Sequence, residues 1–178
     1  IGLATGIAKS LHTIWKSKNI STVTKVQLYK SLVLSVLLYN AETWTLKESD
    51  KRRLKVFEMT MLRRIQGVSL RDRKRNDVIR KELGVTVDIT RVVQHRRLTY
   101  FGHVVRMQNT RFPNIALYGY VHGTRSRGRP HKRWLDNVHE DCVELGLTLC
   151  EADTLAKDRT LWRATTVRLL SAAFMQSS

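Results

Sequence analysis

An all-α protein with a strongly basic surface is what this sequence predicts, on three observations. Proline occurs twice in 178 residues, at Pro113 and Pro130, so long helices can run without the missing N–H and ring clash that break them. Apolar residues recur three and four apart along most of the chain, the signature of one buried helical face. Finally, 32 Lys+Arg against 15 Asp+Glu leave a formal charge of +17, which disfavours a compact state by self-repulsion. With 42% hydrophobic residues a real core is available, and wholesale disorder is not expected.

The elements follow in order. A first helix is expected over residues 3–18, burying Leu3, Ile7, Leu11, Ile14 and Trp15. Residues 19–21 break it, with Ser21 or Thr22 as the next N-cap. A second helix carries Val26, Tyr29, Leu32, Val33, Val36 and Leu37, apolar around much of its circumference and so central in a bundle. After a turn at 47–50, Ser49 or Asp50 caps a third, with Leu54, Phe57, Met61, Leu62 and Ile65 inward and Gly67 as its stop. Asn76 caps a short helix that buries Val78, Ile79 and Leu83 and ends at Gly84. A longer helix over 88–107 buries Ile89, Val92, Val93, Tyr100, Phe101, Val104 and Val105. Gly102 within it implies close packing or a kink.

Residues 108–130 are the least regular, and 115–121 are the one place for a short strand or β-hairpin arm. Pro130 suits the first turn of a helix that buries Trp134, Leu135, Val138, Cys142 and Leu145 and stops at Gly146. Thr148 and Glu151 have the spacing of a capping box. The last helical stretch, with a possible break at Asp158, uses Leu155, Leu161, Trp162, Leu169 and Leu170.

The positive charge is spread over many segments rather than gathered on one amphipathic helix, which points to RNA or DNA rather than a membrane surface. Cys142 and Cys150 are the only cysteines, so no disulfide scaffold is expected. The most apolar stretch, residues 32–39, is too short to span a bilayer. The chain opens on Ile1-Gly2-Leu3 with no basic leader. It reads as part of a longer intracellular polypeptide.

Several stretches then resemble a known family. They are Ser10-Leu11-His12-Thr13-Ile14-Trp15, residues 28–39, Glu42-Thr43-Trp44-Thr45-Leu46 and Arg97-Leu98-Thr99-Tyr100-Phe101-Gly102-His103-Val104-Val105-Arg106-Met107. Arg127-Gly128-Arg129-Pro130-His131-Lys132-Arg133-Trp134-Leu135-Asp136, Asp158-Arg159 and Trp162-Arg163 complete the order. Together they resemble the region after the polymerase palm in non-LTR retrotransposon endonuclease/reverse transcriptase polyproteins. The resemblance implies a thumb-like helical bundle over 1–67 that grips primer–template, and a basic C-terminal helical region over 68–178 that holds element RNA or target DNA. It implies a parent that is an RNA-directed DNA polymerase acting in transposition, a missing palm as partner, and the nucleus as location. It also implies Mg²⁺ in that palm and no cofactor in this segment. The sequence contains no Tyr-X-Asp-Asp, the aspartate pair that holds two Mg²⁺ ions in such polymerases, so no catalysis is expected of it.

Candidate contacts to nucleic acid are the run Arg71, Arg73, Lys74 and Arg75, the helix-borne Arg96, Arg97 and Arg106, and the loop Arg125, Arg127, Arg129, Lys132 and Arg133. For the loop, phosphate contact is preferred to a minor-groove hook of the Arg-Gly-Arg-Pro type and to a merely solvated surface. Six phosphates neutralised would give a log–log salt slope of about −5. His103 is read as structural, with phosphate contact as the alternative. Zinc on His139, Cys142 and Cys150 would need a fourth ligand from His131 or His122, and Cys142 is read as core. Asp136, Glu140 and Glu144 form an acidic stripe. It is read as a solvated or salt-bridged face, with a metal-dependent nuclease as the rival and a basic protein-interaction module as a second.

Overall fold

The computed structural model describes residues 1–119, 128 and 131–171. The chain there is helical, with no strand among the described residues, as the proline-poor, three-and-four spacing requires. It divides into two units: Ile1–Asn40 with Glu48–Thr90, and Ala41–Lys47 with Arg91–Ser178.

In unit 1 the expected first helix is two, α1 (Gly2–Ser10) and α2 (His12–Lys16), parted at Leu11. Ala4 and Ala8 face inward while Leu3 is 81% exposed, because small side chains let α1 lie close to the helical run that follows it. Trp15 is buried, and its Nε1 donates to the Ala8 carbonyl at 2.8 Å. Lys25 is buried too. Its Nζ donates to the carbonyls of Trp15 (2.9 Å) and Ser17 (2.7 Å), closing the otherwise unpaired end of α2.

α3 (Thr22–Leu28) begins where Ser21 Oγ accepts from the Thr24 N–H at 3.1 Å. It continues through a wide π turn, Tyr29–Leu34, into α4 (Ser35–Leu37). The wider turn advances the buried stripe by four: Tyr29, Val33 and Leu37 are buried, while Leu32 and Val36 are turned outward. α5 (Glu48–Gln66) buries Leu54, Glu58, Met61, Leu62 and Ile65. Gly67 ends it at φ 74°, with the Val68 N–H reaching back to the Arg63 carbonyl at 3.0 Å. A 3-10 turn, Leu70–Asp72, leads to α6 (Asn76–Glu82).

Unit 2 holds the segment Ala41–Lys47 and, from Arg91 onward, helix α7 (Ile89–Val105), then α8 (Phe112–Tyr118), α9 (Trp134–Glu144), α10 (Leu149–Lys157) and α11 (Arg159–Ser171). Residues 115–118 are therefore helix rather than strand, a correction. Pro113 sits in the first turn of α8, where its missing N–H costs nothing. Asn114 is buried, and its Nδ2 donates to Val104 O (3.1 Å) and Met107 O (3.3 Å), ending α7. Residues 120 and 121 lie outside the described residues. The unit's core gathers Leu98, Phe101, Val138, Cys142, Ala152, Ala156, Trp162 and Leu169. Gly102 admits the Trp162 indole: a Cβ there would clash with Trp162 Cδ1 and Nε1. The same indole donates Nε1–H to the Leu98 carbonyl at 2.7 Å.

Candidate nucleic-acid interface

The basic run 71–75 is a built turn of unit 1. Asp72 accepts from the Ser69 N–H (2.7 Å) and Ser69 Oγ (3.0 Å), which holds its carboxyl below the usual range. Arg73 adopts the left-handed region at φ 47°. Arg63 Nη2 fixes the far side, donating to Lys74 O and Asn76 Oδ1, both at 2.8 Å. The four basic side chains thus share one turn but not one role. Lys74 is ion-paired with Glu82 at 2.6 Å, and Arg75 with Asp77 at 3.1 Å, both exposed. Arg71 and Arg73 are exposed and carry no ion pair among the described residues.

In unit 2 one candidate is withdrawn. Arg97 is fully buried; its Nε and Nη2 grip Asp141 in a bidentate pair at 2.7 and 3.2 Å. Its Nη1 donates to the Trp44 carbonyl at 3.3 Å. A guanidinium so enclosed cannot reach a phosphate. Gln94 adds a third donor to Asp141 at 3.1 Å. Burial still pushes the Asp141 carboxyl up, Arg97 opposing it. Arg96, one residue earlier, is exposed. Arg106 is exposed as a residue, but its Nη1 is bonded to the Ala156 carbonyl at the end of α10. Lys132 pairs with Glu140 at 2.7 Å, and Arg133 with Asp136 at 3.2 Å. Arg125, Arg127 and Arg129 lie outside the described residues.

The acidic stripe on α9 is spoken for by the chain's own bases. Asp136 accepts the Arg133 N–H at 2.7 Å, capping α9, Glu140 holds Lys132, and Glu144 holds Arg91. Cys142 is buried, and burial with the nearby Asp141 pushes its thiol up to about 12. His139 and Cys150 are exposed. Among the described residues no group of three or more His, Cys, Asp or Glu is placed to hold a metal ion, and His122 is not among them. His103 is exposed, its ring centroid 6.3 Å from that of Tyr100.

Residues the sequence reading passed over do much of the positioning. Asn137 is buried and clasps Leu46 on both sides, accepting from its N–H at 2.9 Å and donating to its carbonyl at 3.2 Å. Trp134 Nε1 donates to the Glu42 carbonyl at 2.8 Å. These two side chains hold the segment 42–46 that carries one of the family-like stretches. In unit 1 the counterpart is Glu58, buried and bonded to Arg80, with the Ile89 N–H at 3.2 Å. Burial pushes Glu58 up while Arg80 and Ile89 draw it down. A signal was present: Glu58, Arg97, Asn137 and Asp141 all stand on the apolar stripe of their helix, where an uncompensated polar group is expensive.

Within each unit a buried ion pair, Glu58–Arg80 in the first and Arg97–Asp141 in the second, is enclosed by helices, and together with the net charge this defines a basic all-α protein. An uncharacterized transposon-derived protein of Caenorhabditis elegans is 27% identical to it over 147 residues, covering 79% of this chain and 53% of that protein. The chain thus spans about half the length of that relative. No family model and no solved structure matches it. Among the described residues no helix is long and apolar enough to cross a membrane.

Proposed function

We propose that the chain is a non-catalytic nucleic-acid-binding part of a non-LTR retrotransposon reverse transcriptase. Residues 1–67 serve as its thumb and 68–178 as its basic C-terminal region, acting in the nucleus beside a palm on the same polyprotein. The observation that carries the reading is charge: however completely the 15 carboxylates pair internally, a formal +17 is left over. Arg71 and Arg73 present such surplus charge, Arg96 is exposed, and Lys74, Arg75, Lys132 and Arg133 hold carboxylates that a phosphate would replace. The transposon-derived relative supports the setting. Phosphate contacts of this kind position a duplex without reading its sequence.

The test is fluorescence anisotropy with a labelled RNA–DNA hybrid, an RNA duplex and a DNA duplex. Arg71→Glu with Arg73→Glu weakens binding about tenfold or more for every sequence of a given type, since each lost phosphate contact acts uniformly. Absence of binding by the parent chain at low salt sinks the reading. A nuclease reading is met in the same samples: Mg²⁺-dependent cutting abolished by Asp136→Ala or Glu140→Ala replaces it.

A further inference from the structure

Unit 1 carries a second charged surface, lined by none of the residues of the 71–75 turn. A groove between α1 and α5 is floored by Ala8, Phe57 and Met61, with Val56 on its wall, and rimmed by Arg52, Arg53 and Arg64. Met61 and Ala8 are 1% exposed, yet Val56 is 61% exposed, so the apolar strip opens to solvent. None of the three arginines has an ion pair among the described residues. Residues 53, 57, 60 and 64 fall four, three and four apart, one face of α5, so cationic ends bracket an apolar middle. At 1.5 Å per residue Arg53 and Arg64 stand ~16 Å apart along the axis, about three helical turns.

We propose that this groove docks an acidic amphipathic helix of a partner protein. Its apolar side chains lie on Val56 and the half-buried Phe57, and its carboxylates meet Arg52 and Arg53 at one end and Arg64 at the other. Charge complementarity selects the occupant's sign, and the apolar floor selects its kind. A phosphate backbone would meet the arginines but leave the 61% exposed Val56 uncovered. A helix with an apolar stripe covers both features at once.

The experiment titrates the full chain against a labelled 18-residue peptide with leucines three and four apart and glutamates between. A scrambled peptide of the same composition and a single-stranded oligonucleotide serve as controls. The patterned peptide binds at least tenfold tighter than the scrambled one. Both Val56→Ser and Arg53→Glu with Arg64→Glu weaken it about tenfold, while Arg71→Glu with Arg73→Glu leaves it within twofold. These positions are exposed, and circular dichroism verifies that each variant is folded. Equal binding of the scrambled peptide, or indifference to Val56→Ser, overturns the proposal. So does an oligonucleotide whose binding alone falls in the Arg53/Arg64 variant, which would make the groove a nucleic-acid face.

Discussion

Arg97 and Asp141 decide what unit 2 tolerates. A bidentate pair inside a core resists loss of one partner far more than loss of both, because the survivor is left charged and undersolvated. Arg97→Met therefore costs about 3–5 kcal/mol in urea denaturation, and adding Asp141→Leu recovers most of it; a single-variant loss under ~1 kcal/mol contradicts the pair's role. Asn137→Ala removes two buried hydrogen bonds to Leu46 and leaves both backbone groups unsatisfied, costing about 2–3 kcal/mol by the same assay. At the surface the effect is one of pH. Glu151 accepts the Thr148 N–H and hydroxyl at the start of α10, which holds its carboxyl low. A depressed carboxyl adds stability above its unfolded pKa, about 4.3, and loses it as pH falls. The Tm gap between the parent and Glu151→Ala is thus open at pH 7 and narrows as pH drops below about 4; a gap that widens contradicts the cap. In the sequence, Arg97 looked like one more surface arginine. Only its position on the stripe with Val93, Phe101 and Val104 told otherwise, and the partner on α9 is 44 residues away.

Among the elements, what is written locally was legible and what is set by packing was not. Gly67, Gly84 and Gly146 all take positive φ at helix ends, and Thr148–Glu151 forms the reciprocal cap its spacing promised. Such signals need only the residues on either side. The wide turn Tyr29–Leu34, the break at Leu11 and the outward Leu3 depend on how closely α1 approaches its neighbour, which spacing cannot encode. Residues 115–118 misled for a related reason: apolar and short, they fit strand or helix alike, and Asn114 bonding the end of α7 decided for helix. Two glycines separate these levels experimentally. At Gly102 an added Cβ meets the Trp162 ring, whereas at Gly6 it meets nothing within 4 Å. Gly102→Ala destabilises by about 1–3 kcal/mol, and Gly6→Ala stabilises by roughly 0.5–1 kcal/mol. Urea midpoints moving in opposite directions check both, and a neutral Gly102→Ala contradicts the close contact.

For the molecule as a whole, the fold class and charge were plain from composition and period, while the division into units was not. The segment Ala41–Lys47 belongs with residues far along the chain, through side chains such as Asn137 that no local pattern links to it. The surface charge was legible in amount and only partly in place. One candidate cation is enclosed in a core and four hold carboxylates, while Arg52, Arg53 and Arg64 stand outside the candidate set. The net +17 is the quantity on which the functional account stands, and phosphate neutralisation has a direct thermodynamic signature. The measurement is the affinity of the full chain for a nucleic-acid duplex as KCl is raised. Contact with about six phosphates gives a log–log slope near −5, falling in magnitude by about 2 in Arg71→Glu with Arg73→Glu. A slope near zero, or no binding at the lowest salt, would contradict the account.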